Sequence, residues 1–464
     1  MSSRIEDYAL IGDLLTCALV GRDGSIDWMC APRFDSPACF AAILGTPENG
    51  RFRIAPKGEV TRVERRYRGD TLVLETELET GQGRVRLIDF MPPRTDNLDL
   101  VRIVEGVEGT VPMRMELEIR FDYGSIIPWV RAFDGGIHAI GGPDSIWFRA
   151  DVPLHGEQFT TVSEFEIQAG EQVKFDLTWS STWGPEPRFH DPLESLAQTE
   201  DFWREWASRC SYQGPWREAV VRSFITLKAL TYAPTGGIVA AATTSLPELI
   251  GGVRNWDYRY CWLRDATFTL YALMHGGYTE EARAWRSWLV NAVAGVPSEL
   301  QIMYGLGGER RLTEMELDWL AGYEGSRPVR IGNAACSQFQ LDVYGELMDA
   351  LHTTRRAGLE PDENAWRVQR GVLKFLETAW TEPDEGFWEV RGPRRHFTHS
   401  KVMAWVAFDR AVCAAESVGG DGPVERWKEI RERIRRDVLE QGYDRELNAF
   451  VQYYGSKEPD ASLL

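Results

Sequence analysis

The chain has 464 residues, too many for one ordinary core, so two domains, or one domain plus a large barrel, are expected. Lys and Arg number 52 against 70 Asp and Glu, a formal net charge of -18, which speaks against phosphate backbones and anionic membranes and suits a neutral or cationic ligand. The 18 Trp are about three times the usual share, which favours carbohydrate or another flat ligand while leaving many indoles for the core. The seven Cys (Cys17, Cys30, Cys39, Cys210, Cys261, Cys336, Cys413) are scattered and never form a CxxC pair, so they read as reduced thiols. The opening MSSRIEDYALIGDLL lacks a basic segment followed by an apolar one, and no apolar run reaches the ~18 residues of a membrane span. A cytoplasmic chain without nucleic-acid or membrane partners is expected.

Through about residue 180 the dominant hydrophobic period is two. Leu72, Leu74, Thr76 and Leu78 alternate with mostly charged neighbours, Gly81 to Gly83 supplies a turn, and Val85 and Leu87 resume the pattern as a hairpin partner. Met113, Met115, Leu117, Ile119 and Phe121 repeat it, as do Val173, Phe175, Leu177 and Trp179. An all-β sandwich is expected over 1–190. After the Pro-rich stretch at Gly184 to Pro192 the period changes to 3.6, with a linker helix over 191–213 and a helical domain over 214–464. The helical stripes are Val220, Phe224 and Leu227; Phe339, Val343, Leu347 and Leu351; Trp405, Phe408 and Val412; Trp427, Ile430 and Ile434. Further amphipathic stretches at Leu263 to His275, Thr279 to Ala294 and Glu363 to Trp380 bring the expectation to about seven helices after Pro215. Long loops such as Gly305 to Asn333 join them, and loops of that length in a compact domain are usually functional.

Three loop constellations carry the chemistry. The run RNWDYRYCWLRDA, Arg254 to Ala266, places Tyr258, Trp262, Arg264 and Asp265 just ahead of an amphipathic helix. Flat aromatic faces cover the apolar faces of a pyranose, and an Arg fork beside a carboxylate can grip neighbouring hydroxyls. Core aromatics beside a structural ion pair are the competing reading. The second constellation is SRPVRIGNAACSQFQLDVYGE, Ser326 to Glu346, and the third is DEGFWEVRGPRRHFTHSKVMAW, Asp384 to Trp405. In the third, Glu389 follows Trp388 on a turn. A carboxyl packed against an indole is desolvated, which raises its pKa toward the range of a general acid; a surface Glu beside a core Trp is the alternative.

Taken in order, these segments resemble glycoside hydrolases of the glucoamylase and trehalase-like family 15 over essentially the whole chain. DYALIGDLLTCALVGRDGSIDWMCAPRFDSP, Asp7 to Pro37, resembles the trehalase-like N-terminal β domain of bacterial members. TSLPELIGGVRNWDYRYCWLRDA, RPVRIGNAACSQFQLDVYGE and GFWEVRG with HFTHSKVMAW resemble successive segments of the family's (α/α)6 barrel. The resemblance implies a multidomain β + α fold, a trehalase-like N-terminal β-sandwich followed by an (α/α)6 toroid. It implies that Arg264 and Asp265 hold the hydroxyls of a terminal glucose, that Tyr258, Trp262 and Trp388 wall it, that Arg330 lines the same pocket, and that Glu389 is the general acid. Fungal members carry a second acidic residue after the acid, where this chain has Val390.

The family inverts the anomeric centre, which requires a general base roughly 6.5 to 9.5 Å from the acid. In the family the base lies in a late SEE-like segment, and no such segment occurs here; the text closes on YGSKEPDASLL. With seven helices of twelve, the sequence is expected to be a C-terminally truncated form, with roughly 100 residues of barrel absent, no general base, and an open, sparingly soluble barrel. Otherwise Glu314, Glu316 or Asp318 would have to serve as base. The expected activity is exo-acting, inverting hydrolysis of an α-glucoside, leaning to α,α-trehalose; the alternatives are a glucoamylase, then a disaccharide phosphorylase or a non-catalytic glucoside-binding protein. No cofactor is expected, and the partner is a small carbohydrate. No metal is expected either, because His396 and His399 lack ligand spacing. Asp27, Trp28, Arg33 and Asp35 either reach a pocket or stabilise turns.

Overall fold

The computed structural model describes residues 3–360, 362–418 and 421–464, and the chain divides into two compact units that interleave along the sequence. One comprises Met1–Pro234, Ala241–Arg259 and Met315–Ile331; the other comprises Thr235–Ala240, Tyr260–Glu314 and Gly332–Leu464.

The first unit is a β-sandwich hung on one long strand, Leu98–Glu118. Its first half pairs with Gly83–Phe90 and Gln172–Ser181, and its second half pairs with Arg51–Pro56 and Thr160–Gln168, so two sheets share it. Between the halves stands Gly109 at φ 71°, where a Cβ would collide with the carbonyl oxygen of Gln82. Only glycine lets the strand pass from one layer to the other there. The layers close over one apolar core, with Phe52 of one sheet 5.4 Å from Phe148 and 6.4 Å from Phe175 of the other. The expected hairpin forms in register, Leu78 opposite Val85 and Thr76 opposite Leu87, and all four side chains are buried. That is the outcome of period-two patterning over an antiparallel pair.

Two helices belong to this unit as well, α1 (Pro192–Ser208) and α2 (Arg217–Ala229). α1, read from the sequence as a linker, buries Thr199, Trp203 and Trp206, and its Glu200 pairs with Arg68 at 2.8 Å. α2 is held by Arg222, which donates to the carbonyls of Gly69 and Thr71 and stacks on Tyr67. Its buried stripe is Val221, Phe224, Ile225 and Ala229 rather than the expected Val220, Phe224 and Leu227. The short pattern admits either face, and packing against the sandwich selects one. Compactness also cuts the chain differently from periodicity: residues 315–331, from the long Gly-rich loop, bury Leu317, Leu320, Tyr323 and Val329 in a cluster with Trp28 and Tyr123. Trp28 also donates to the Ala242 carbonyl at 2.8 Å.

Among the described residues the second unit carries six α-helices: α3 (Leu263–His275), α4 (Thr279–Ala292), α5 (Asp342–Arg356), α6 (Glu363–Ala379), α7 (Thr398–Val418) and α8 (Val424–Gln441). α5 packs against both α3 and α7, and α8 lies against α7. α3, α5 and α7 are thus successive neighbours with α4 and α8 beside them, the arrangement produced by chaining helical hairpins. The anticipated stripes are buried at Val343, Leu347, Leu351, Phe408, Val412, Trp427, Ile430 and Ile434. Phe339 is an exception, lying ahead of α5 in an irregular segment where its ring meets Tyr344 and Phe375.

None of the seven cysteines forms a disulfide among the described residues. No described helix is long and apolar enough to cross a membrane, and no group of three or more potential ligands among the described residues could hold a metal ion.

Candidate active site

The N-terminal ends of α3, α5 and α7 come together at one place in the helical unit. α3 starts from a short strand, Cys261–Trp262, paired with Met303–Tyr304, which delivers Trp262 at the N-cap and Arg264 and Asp265 in the first turn. α5 presents Asp342 in its first turn. The segment before α7 brings Phe387, Trp388 and Glu389, and α7 itself begins near His399. Three converging N-termini concentrate positive partial charge, a favourable setting for carboxylates.

Glu389 reaches this place because its segment is tied down upstream. Asp384 is fully buried; its carboxylate accepts from the Leu341 amide at 2.9 Å, and its backbone pairs with Arg395. Glu385 repeats the tie, accepting from the Phe339 amide at 2.9 Å. The chain then turns over Gly386 to Glu389, closed by the Glu389 amide on the Gly386 carbonyl at 3.0 Å, and Glu389 sits at φ 54°. A non-glycine residue in the left-handed region stores strain, and such residues cluster at functional sites.

The Glu389 carboxylate accepts from the Trp262 indole at 2.7 Å and from the Arg264 guanidinium at 3.2 Å. Both donate to Oε1, while Oε2 accepts no hydrogen bond among the described residues. Burial pushes the pKa of Glu389 up; the Arg264 charge and the two hydrogen bonds oppose that shift without cancelling it. Arg264 is itself held on several sides. It donates to the Phe387 carbonyl, lies over the Phe387 ring, and faces Asp265 and Asp342, each at 3.5 Å.

The six sequence-selected residues beside Glu389 are distributed as follows. Trp262, Arg264 and Asp265 share its surroundings, with the Asp265 side chain half-exposed. The indole that holds Glu389 is that of Trp262, not that of its chain neighbour Trp388, whose N–H is spent on Asp460 at 2.9 Å. Consecutive residues of a tight turn point in different directions, so adjacency in sequence misassigned the partner. Tyr258 and Arg330 belong to the β-rich unit. There Arg330 donates to the Val253 carbonyl at 2.9 Å, pairs with Glu316 at 3.2 Å and stacks on Trp256, which secures the loop before Asn255.

Two residues near the site were not singled out from the sequence, Asp342 and Glu346. They stand four apart on the buried face of α5, and burial together with the Asp342 charge pushes Glu346 up to about 8. Carboxylates at helical spacing inside an apolar stripe were the available signal. The spare carboxylates Glu314 and Glu316 are engaged: Glu314 by Arg391 at 2.7 Å and by the Ala334 amide, Glu316 by Arg330.

Two family models match the chain, with a boundary that differs from that of the compact units. The model of glycosyl hydrolases family 15 matches residues 214–464, and that of the trehalase-like N-terminal domain matches 1–172. The chain is 37% identical over 494 aligned positions to a trehalase of Mycobacterium tuberculosis, covering 99% of this chain and 72% of that protein. It is 35% identical to a trehalase of Thermoplasma volcanium, covering 99% of this chain and 75% of that one. A bacterial glucoamylase complexed with acarbose has the same fold, with a TM-score of 0.69 at 11% identity over 99% of this chain and 71% of that one. The chain belongs to the glycosyl hydrolases of family 15 and is a trehalase-like glycoside hydrolase with a trehalase-like N-terminal domain.

Proposed function

We propose that the chain hydrolyses α,α-trehalose, attacking one terminal glucose with inversion at its anomeric carbon, with Glu389 as the general acid. The observation that carries this reading is the Glu389 carboxyl itself: left-handed backbone, an indole and a guanidinium on one oxygen, and a pKa raised by burial. Such a carboxyl holds its proton to higher pH than an ordinary glutamate does and can pass it from Oε2 to the glycosidic oxygen as the bond breaks. Arg264 and Asp265 are the proposed grip on the glucose hydroxyls, with Trp262 and Trp388 as apolar walls. Asp342 and Glu346 are buried on α5 and are not proposed as the base that activates water.

Trehalose ranks ahead of α-1,4-glucans because the similar proteins at 35–37% identity are trehalases and because the N-terminal domain is trehalase-like. Free thiols throughout suit a reducing compartment, and the cytoplasm is the proposed location. The test is hydrolysis of trehalose, maltose and dextrin followed by proton NMR. Inversion of α,α-trehalose yields one β-glucose and one α-glucose at early times, whereas retention yields only α-glucose. Preference for maltose, or release of a glucose phosphate only when inorganic phosphate is present, would overturn the assignment.

A further inference from the structure

The β-rich unit holds a polar cleft of about 1050 Å³ made of none of the residues around Glu389. Its floor is the face of strands Arg51–Pro56 and Leu98–Glu118, from which Arg51, Arg114, Glu116 and Glu118 project. Four arginines and four glutamates line it in all, so its charge balances, which favours a neutral ligand over an anion or a cation.

Two features distinguish this cleft from a solvated ion-pair network. Arg51 and Arg114 both pair with Glu116 at 2.9 Å, yet the Arg51 Nε and the Glu118 Oε2 are left without hydrogen-bond partners, 3.8 Å apart. Both atoms are closed off from solvent and face each other as an ion pair, so the floor of the cleft is a fixed charged network. The rim carries exposed aromatic rings. Phe159 is 78% exposed at a hairpin tip where both it and Gln158 adopt positive φ, 66° and 46°. Trp319 is 48% exposed with its indole N–H pinned to the Tyr123 carbonyl at 3.0 Å, so one ring edge is fixed and the rest faces outward. Phe159 also lines an adjoining groove of about 440 Å³ with Trp129, a third exposed ring. Strained backbone that holds a large apolar ring in water is uncommon without a ligand to cover it.

We propose that this cleft is a second, non-catalytic carbohydrate-binding site. It takes a neutral oligosaccharide whose hydroxyls meet the arginines and glutamates that line the cleft and whose ring faces stack on Phe159 and Trp319.

The test is calorimetric titration of the full-length chain with maltoheptaose in an E389Q background, which prevents turnover, compared with the same chain carrying F159A or W319A. Both rings are exposed, so the fold is expected to survive either change, and near-UV circular dichroism checks that it does. Affinity at least tenfold weaker in each variant supports the site. Affinities within twofold of the E389Q chain in both variants, or no binding up to about 10 mM, would overturn it. So would a concentration-dependent dimer that F159A and W319A dissolve, since the rings would then be covered by protein.

Discussion

The run from Arg254 to Ala266 contains two Arg–Asp pairs, and they do opposite work. Arg259 and Asp257 are buried to 1% and 0% exposure and joined by two hydrogen bonds of 2.9 and 2.7 Å. Arg259 also donates to the Ser36 carbonyl at 2.9 Å and lies near the Trp28 and Tyr123 rings. The Arg259 guanidinium thus donates to Asp257, Cys30 and Ser36, all in the β-rich unit. Arg264 and Asp265, in the helical unit, are 14% and 46% exposed and sit at 3.5 Å, and Arg264 divides its charge among Asp265, Asp342 and Glu389. A guanidinium shared among three carboxylates keeps capacity for a ligand, whereas one saturated by a single partner and a carbonyl does not.

That contrast can be broken in graded steps. The largest expected effect is that of E389Q, which keeps the contacts of Oε1 but removes the transferable proton. Trehalose turnover should fall by ~10² to 10⁴-fold with little change in melting temperature. A turnover close to that of the parent would sink Glu389 as the acid. Next, R259A should leave Asp257 as a buried, uncompensated charge and cost about 3–5 kcal/mol of stability in chemical denaturation. R264A should cost far less in the same measurement while lowering kcat/KM. Equal destabilisation by the two would erase the distinction between the pairs.

The third step concerns pH. Arg264 draws the Glu389 pKa down against the upward push of burial. Removing that charge with R264Q should raise the pKa further, so the alkaline limb of the kcat profile, where the acid loses its proton, moves to higher pH. A limb that moves down would contradict the electrostatic assignment. The smallest expected effect lies with Glu346, whose folded pKa of about 8 stands above the ordinary 4.5. Between those values the folded state holds a proton that the unfolded state has released, so its stabilising contribution is complete below 4.5 and is lost as pH rises through 8. E346Q should therefore flatten the fall in melting temperature between pH 5 and 8, and thermal scans across that window would show whether it does.

The amino-acid sequence alone determined the two structural regimes. Period-two alternation predicts the hairpin of Leu78 and Val85, and period 3.6 predicts each of the helices from α3 to α8, because side-chain direction repeats with the local backbone. It also brought Trp262, Arg264 and Glu389 onto one short roster, since the order of their motifs is specific even where each motif alone is ambiguous. Tertiary structure decided what spacing along the chain cannot encode. It chose which indole touches Glu389, because residues 262 and 389 are joined only through the packing of α3 against the segment before α7. It separated the fully buried, structural Arg259 from the partly buried Arg264 at the site, two residues with the same chemistry a few positions apart. It drew residues 315–331 into the core of the β-rich unit, and it made Glu346 a buried acid. Each of these outcomes depends on which long-range surfaces meet and exclude water, and burial rather than residue type then sets a charge's partners and its pKa.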